Sequence, residues 1–518
     1  MKTFEDLPCE CILEIFLYFE DNYSTLYRCL LVSRYWCKLV VPILWRNPFH
    51  YWWRSSSRPV ENIIENNWHL LRRTYMATLN EVEKEILHPY DKRYNPSQPL
   101  FQYSSYLEKF SFADIAKIIV ECWKGRNKSV NLFKKIRIER LGRIMTAIFQ
   151  LVLRTSSLRE IEIFDYYGVR NDKQFTYDIL NVISFSSYQP IFSQLRNLTI
   201  HIKQGPYIKE LLRNSSKLCT NLERLEYKIE RYIDPKTVDS FADIITAQSS
   251  LKKFSMKIHE IVYQRRFISH LDSQKESLTS LSLHHVNFST ISLNSIAKFI
   301  KLESMELHSC YWPTKGSCEM FMQSSIQLKS LTFDTFYFDD MLLPTLIEKG
   351  GKNLLNLYID KVSEKVVMAL SQFCPNISKF TLHHKIQDYN MFMIYLKVSR
   401  ISQLVIKSYS ISVELLSVLA RYVPSSLEEI YLCCHFRPGF LAIFLIDYND
   451  LSLNTLKTLR IKDLDGYSHE YLKVIERHVV YNALKTIVIE TTVCVDKSSN
   501  LIQNIRKKGI NIILQEVF

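Results

Sequence analysis

Histidine is the residue type whose spacing in this chain most invites a chemical reading. His284-His285 and His383-His384 each follow a short apolar run, and His308 stands at the place equivalent to His284 one pattern later. In neighbouring parallel strands such positions lie about 4.8 Å apart, close enough for His284 and His308 to share a metal, with Cys310 and Asp334 near in register. Nothing completes that ligand set, so the expectation is exposed histidines, no metal and no other cofactor. Asp339-Asp340 is an isolated acidic doublet, and Gly350-Gly351 reads as a turn after a helix and not as a phosphate cradle. The chain has no H-E-x-x-H, G-x-S-x-G or P-loop sequence. No nucleophile is therefore paired with a base, and no catalytic residue is expected.

The histidines belong to a repeated pattern, apolar-x-x-apolar-x-apolar, that returns from Phe133-Ile136-Ile138 to Leu484-Ile487-Ile489. Intermediate copies include Leu158-Ile161-Ile163, Leu278-Leu281-Leu283, Leu302-Met305-Leu307 and Leu427-Ile430-Leu432. About fourteen copies occur, mostly about 23 to 29 residues apart with one interval near 37, a leucine-rich-repeat period. The last two apolar positions of each copy are two residues apart, so both point inward from a short strand, while the first turns the chain into it. Amphipathic stretches between copies, such as Ile296 to Ile300, Val366 to Phe373 and Leu415 to Tyr422, predict helices. One unit alone leaves its strand face and helix face exposed; stacking buries both along one core. Strand signals with period two disfavour the rival architecture, an array of helices alone.

Period two also places the residues flanking each inward position on the open face of the sheet. That row is mixed and polar, with basic residues concentrated at Arg224, Lys228, Lys253 and Lys257 and again at Arg460 and Lys462. The first cluster is the candidate substrate-binding site, for an acidic or phosphorylated segment, although Glu226 lies among its members. Mere solvation of the face is the competing reading.

At 518 residues the chain exceeds one ordinary core. Hydrophobic residues at 47% and charged residues at 23%, with only 10 Gly and 15 Pro, exclude fibrous and low-complexity classes. No apolar run is long enough to span a membrane, and no secretory signal opens the chain, so a cytoplasmic or nuclear address is expected. The 12 cysteines form no C-x-x-C pair and read as small buried hydrophobes kept reduced. A net charge of +13 admits an acidic partner, but the weak clustering of Lys and Arg disfavours nucleic acid.

The N-terminus predicts three short helices: one opened by Asp6 and Pro8 with Ile12, Ile15, Phe16 and Phe19 on its apolar face, one carrying Leu26, Leu30 and Leu31, and one capped by Ser33 with Trp36, Leu39 and Val40. So small a core leaves apolar residues uncovered until a partner packs on them. Leu7-Pro8-x-Glu10, Ile12-Leu13-x-Ile15-Phe16, Leu31-Val32-Ser33-Arg34-x-Trp36 and Pro42-Ile43-Leu44-Trp45-Arg46 resemble, in order, the sub-motifs of the F-box. Cys9, Cys11 and the longer polar break Asp21 to Ser24 depart from it. An unrelated three-helix cap for the solenoid is the competing reading. The repeats resemble the divergent, cysteine-containing leucine-rich repeats found behind F-boxes; Cys310 holds the last signature position, where Val286, Phe336 and Val362 stand in other copies.

The expected fold is thus α/β: a small all-helical F-box at residues 1–46, a helical linker and N-terminal cap at 47–130, and a leucine-rich-repeat horseshoe solenoid with a concave parallel sheet at 131–518. In the linker, Trp52, Trp53, Ile63, Ile64, Trp68 and Leu71 predict one helix and Phe112 to Trp123 another. The resemblance implies that Leu7, Pro8, Glu10, Ile12, Leu30, Val32 and Trp36 bind a Skp-type adaptor and, through it, a cullin scaffold and RING subunit. It implies a non-catalytic substrate-recognition subunit of an SCF-type ubiquitin ligase whose repeats bind a target protein. An F-box scaffold with a non-degradative role, or one binding an anionic ligand or nucleic acid, remains the alternative.

Overall fold

The computed structural model describes residues 7–20, 22–48, 74–87, 99–111, 143, 146–164, 189–202, 216–230, 233–288, 291, 293–311, 326–334, 342–386, 389–450, 455–479, 484–491 and 499–516. The expected linker helices, the copy at Phe133-Ile136-Ile138, Phe336 and the doublet Asp339-Asp340 lie outside these residues. The chain divides into two units, residues 1–251 with 258–274, and residues 252–257 with 275–518.

The first unit opens with α1 (Cys9–Tyr18), α2 (Tyr23–Leu30) and α3 (Arg34–Leu44). Pro8 itself is the residue before α1, and its carbonyl accepts the amides of Cys11 and Ile12. Asn22 caps α2 by accepting the Thr25 amide at 3.1 Å, and Ser33 caps α3 by accepting that of Trp36 at 3.2 Å. Ile12, Phe16, Leu26, Val40 and Ile43 form the core, and the Trp36 ring stands edge-on to Phe16 at 5.0 Å. After α3, Trp45 lies against Tyr103 and Tyr75, with ring centroids 4.2 and 5.8 Å away. In the segment between, Asn80 and Glu83 form a reciprocal capping box, each accepting the other's amide at 2.8 Å, and the buried Glu83 also pairs with Arg154.

The strands of this unit are β1 (Lys109–Ser111), β2 (Glu160–Phe164), β3 (Asn197–Ile202) and β4 (Arg224–Ile229), parallel and in chain order. The second unit carries β5 (Lys253–Ile258), β6 (Ser280–His284), β7 (Ser304–His308), β8 (Ser330–Asp334), β9 (Asn356–Val362), β10 (Lys379–Ile386), β11 (Gln403–Ser410), β12 (Glu429–His435), β13 (Thr458–Asp463), β14 (Thr486–Thr491) and β15 (Asn511–Glu516). These too are parallel, each beside the next in sequence. This is the solenoid-like α/β arrangement expected of leucine-rich repeats: a parallel sheet built one strand at a time, with helices on the return paths.

One hydrogen-bond motif recurs at the strand entries. The carbonyl of the residue preceding a strand accepts two successive amides from the entry to the next strand: Glu108 from Arg159 and Glu160, Thr279 from Glu303 and Ser304, Leu355 from Ser378 and Lys379, Lys457 from Lys485 and Thr486. The first member is Arg46, immediately after the three-helix domain, whose carbonyl accepts from Glu108 at 3.0 Å and Lys109 at 3.1 Å. Its side chain reaches Glu108 at 3.4 Å and Glu20 at 3.9 Å.

Sequence and structure agree on β2 to β14 and differ at both ends. β1 falls in the segment read as linker and cap, where Leu107-x-x-Phe110 is a further copy of the pattern with both residues fully buried. At β15 the register places Gly509 where the first leucine would stand; its φ of 83° ends the preceding helix. The helices expected around Val366 and Leu415 are present as Glu364–Phe373 and Val413–Arg421, whereas Ile296 lies in a 3-10 helix, Leu293–Lys298. A left-handed bend at His285 and a bridge between Asn287 and Tyr311 prolong the strand side of that repeat.

The cysteines split. Cys219, Cys310, Cys374 and Cys434 are buried, but Cys9 and Cys11, in the first turn of α1, are exposed, contrary to the sequence reading. Cys310 packs at its signature position, with its sulfur 3.5 Å from the carbonyls of Leu283 and His308. Gly350 closes the helix Leu342–Gly350 and Gly351 begins a 3-10 turn. A Cβ on Gly351 would stand 2.5 Å from the Cys374 sulfur and 3.2 Å from the Phe373 carbonyl. Gly351→Ala is therefore expected to lose about 1–3 kcal/mol through overpacking, visible as a lower thermal midpoint, with partial recovery in a Cys374→Ala background. An unchanged midpoint would contradict this close approach.

Candidate adaptor- and ligand-binding surfaces

The inward positions of β2 to β14 are buried, leaving alternate residues on a mostly polar face. Of the basic cluster, Arg224 and Lys228 lie on β4, and both pair with Glu226 between them, at 3.0 and 2.8 Å. Burial works against the charge on Glu226, but Lys228 and Arg224 outweigh it and hold the carboxyl below its usual range. Lys253 and Lys257 lie on β5, and among the described residues neither has a carboxylate partner. Arg460 on β13 is held by Glu490 and lies 4.9 Å over the Tyr431 ring.

The histidine column is real. His284 and His308 pair in register on β6 and β7, and their rings stack 4.4 Å apart. Of the two, only His308 pairs directly with carboxylates among the described residues: its Nδ1 is 3.6 Å from Asp334 and its Nε2 is 3.7 Å from Glu306. Burial lowers the basicity of His308, but Asp334 and Glu306 outweigh it and raise its pKa to about 9. Burial, the neighbouring His308 and Lys257 push His284 down to about 4. The Ser282 hydroxyl lies 2.9 Å from Glu306 and 3.3 Å from the His284 ring, linking both histidines into one polar network. No group of three or more His, Cys, Asp or Glu positioned for a metal occurs among the described residues.

The three-helix domain carries its own surface. Leu31 and Val32, in the turn between α2 and α3, are 75% and 61% exposed, and Leu7, ahead of α1, is 41% exposed. Tyr18 and Tyr27 add further exposed apolar area. A domain of three short helices that leaves consecutive leucine and valine in water offers them to a partner.

Residues 4–51 match the model of the F-box-like family. The N-terminal domain is an F-box-like domain. A chain of the crystal structure of the Rad7 and Elc1 complex in yeast is similar at a TM-score of 0.37 and 12% identity, over 64% of this chain and 77% of that one. No curated protein matches significantly. Within the F-box-like domain the residues implied in adaptor binding take different places. Leu7, Pro8, Glu10 and Val32 are exposed, Leu30 and Trp36 are half-buried against the core, and Ile12 is wholly inside it. Leu31, which the sequence places in the second helix, lies just past its end at Leu30 and is exposed beside Val32.

The two stacked histidines should titrate apart. Imidazole resonances from NMR are expected to show His308 losing its proton near pH 9 and His284 gaining one only near pH 4. Because the folded pKa of His308 lies above its unfolded value, its contribution to stability is complete below about pH 6.5 and fades as pH rises through 9; that of His284 fades as pH falls from about 6.5 through 4. Two ordinary titrations near pH 6.5 would contradict the assigned contacts.

Proposed function

We propose that this chain is the non-catalytic substrate-recognition subunit of an SCF-type cullin-RING ubiquitin ligase. Its F-box-like domain binds a Skp-type adaptor, and its repeats bind the target protein. The observation that carries the reading is the F-box-like match at residues 4–51 together with the exposed Leu7, Leu31 and Val32. In this reading Leu7, Pro8, Glu10 and Val32 meet the adaptor directly, while Ile12, Leu30 and Trp36 hold the helices that present them. Ubiquitin transfer takes place on other subunits, which suits a chain with no motif for nucleophilic or metal chemistry.

Target binding is assigned to the polar face of the sheet. Lys253 and Lys257 contribute to it most among the basic cluster, since Glu226 already occupies Arg224 and Lys228. Reversal of both lysines to glutamate should weaken capture of an acidic target, more at low salt than at high, because exposed charges are screened within about 8 Å at physiological ionic strength. Equal capture across salt concentrations would remove them from the site.

Adaptor binding is tested by pull-down of the full chain with a purified Skp-type adaptor. The double substitution Leu7→Ala with Pro8→Ala should abolish capture and leave the thermal midpoint of the repeats in place, since both residues are exposed. Undiminished capture by the variant, or none by the wild type, overturns the reading. Ubiquitination of a captured protein then separates a degradative receptor from a scaffold.

A further inference from the structure

The sheet face of the second unit contains a hollow of about 480 Å³ over β8 to β12. Its cause lies in one row of the register. Tyr358 on β9 pairs with Thr381 on β10, Thr381 with Val405 on β11, and Val405 with Tyr431 on β12. Two large rings thus flank two small side chains, with the tyrosine backbones about 14 Å apart across three strand spacings. Tyr431 is anchored as a wall, its hydroxyl 2.8 Å from Glu490 and its ring under Arg460.

Two lysines stand at opposite ends of this floor. Lys379 is two residues before Thr381 on β10, and Lys407 is two residues after Val405 on β11, so both share its face. Lys407 lies 5.3 Å over the Tyr358 ring. Neither lysine has a carboxylate partner among the described residues. Four acids lie around the hollow: Glu429 accepts from Gln403 at 2.8 Å, Glu490 is held by Tyr431 and Arg460, Asp334 pairs with His308, and the buried Asp360 follows Tyr358 by two residues on β9. The hollow thus has two lysines, neither in direct contact with a carboxylate among the described residues, at either end of a floor made by Thr381 and Val405.

We infer that this hollow binds an extended segment of a target polypeptide with the pattern acidic-x-hydrophobic-x-acidic. The inference rests on the receptor reading for the existence of a target, and it names the segment recognised. Side chains at i, i+2 and i+4 of an extended chain share one side, each pair about 6.6 Å apart. Lys379, the Thr381–Val405 floor and Lys407 are stepped by the same two-residue interval along the strands. The hydrophobic side chain seats between Tyr358 and Tyr431, and the two carboxylates meet the two lysines. The pattern reads the same in both directions, so it does not depend on which way the segment runs. A single phosphate is a poorer fit, because the lysine backbones stand about 13 Å apart along the strand direction.

The test is fluorescence anisotropy with the full chain and a labelled peptide, Gly-Ser-Asp-Ser-Leu-Ser-Asp-Ser-Gly. Binding is expected to weaken at least tenfold for Lys379→Glu with Lys407→Glu, and for a peptide of the same composition with its two aspartates adjacent. Val405→Trp, which fills the hollow without changing charge, should weaken it similarly. Thermal melts accompany each variant, and Lys379→Gln with Lys407→Gln replaces the reversal if that one fails to fold. No binding at millimolar peptide, indifference to spacing, equal binding by the lysine variants, or equal binding of a peptide whose one anion is a phosphoserine overturns the inference. Adaptor capture on the same preparation keeps the readings apart: capture without peptide binding overturns the hollow alone, and peptide binding without capture overturns the receptor reading alone.

Discussion

A backbone carbonyl that accepts two successive amides from the next strand entry is the constraint on which the repeats depend. It fixes where each strand begins relative to its neighbour, and with side chains alternating every residue, a slip of one position would turn a whole apolar row into water. Each such bond contributes about 1 kcal/mol net, but an unmade one at a buried edge costs more, so the register is enforced chiefly by the penalty for breaking it. From the register follow the columns of side chains on the open face, where His284 stacks on His308 and Thr381 lies beside Val405 between two tyrosines.

The same bond joins the F-box-like domain to the first strand. Arg46 presents its carbonyl to Glu108 and Lys109 as if it were the entry of a preceding repeat, and its guanidinium spans Glu20 and Glu108. Trp45, set against Tyr103 and Tyr75, packs beside the joint. The last residues of the F-box pattern thus have a second duty: they start the sheet. The domain's exposed leucines and valine, meanwhile, contribute nothing to its own core, which Ile12, Phe16, Leu26, Val40 and Ile43 complete without them.

Much of this was legible in the residues. Period-two pairs such as Leu281 and Leu283 marked strands because only burial of alternate positions preserves such a pattern, and Ser33 marked a cap because its hydroxyl has an amide to receive. Less legible were the features that depend on neighbours. Leu107 and Phe110 are one more copy, hidden among aromatics that carry no period; Gly509 hides another by replacing a leucine with a helix stop. The hollow arises from residues about 25 apart that a pattern search treats as equivalent, and only the register shows that tyrosine, threonine, valine and tyrosine fall side by side. Likewise the charge of Glu226 was visible, but not that it takes up both Arg224 and Lys228.

The central claim is that the F-box-like domain and the sheet face serve different partners. Hydrogen–deuterium exchange on the full chain, with and without a purified Skp-type adaptor, tests it most directly. Slower exchange on adding adaptor is predicted for α1, for the turn holding Leu31 and Val32, and for the start of α3, with unchanged exchange in β9 to β12. Unchanged exchange at residues 7–48, or protection centred on β9 to β12, would contradict the account.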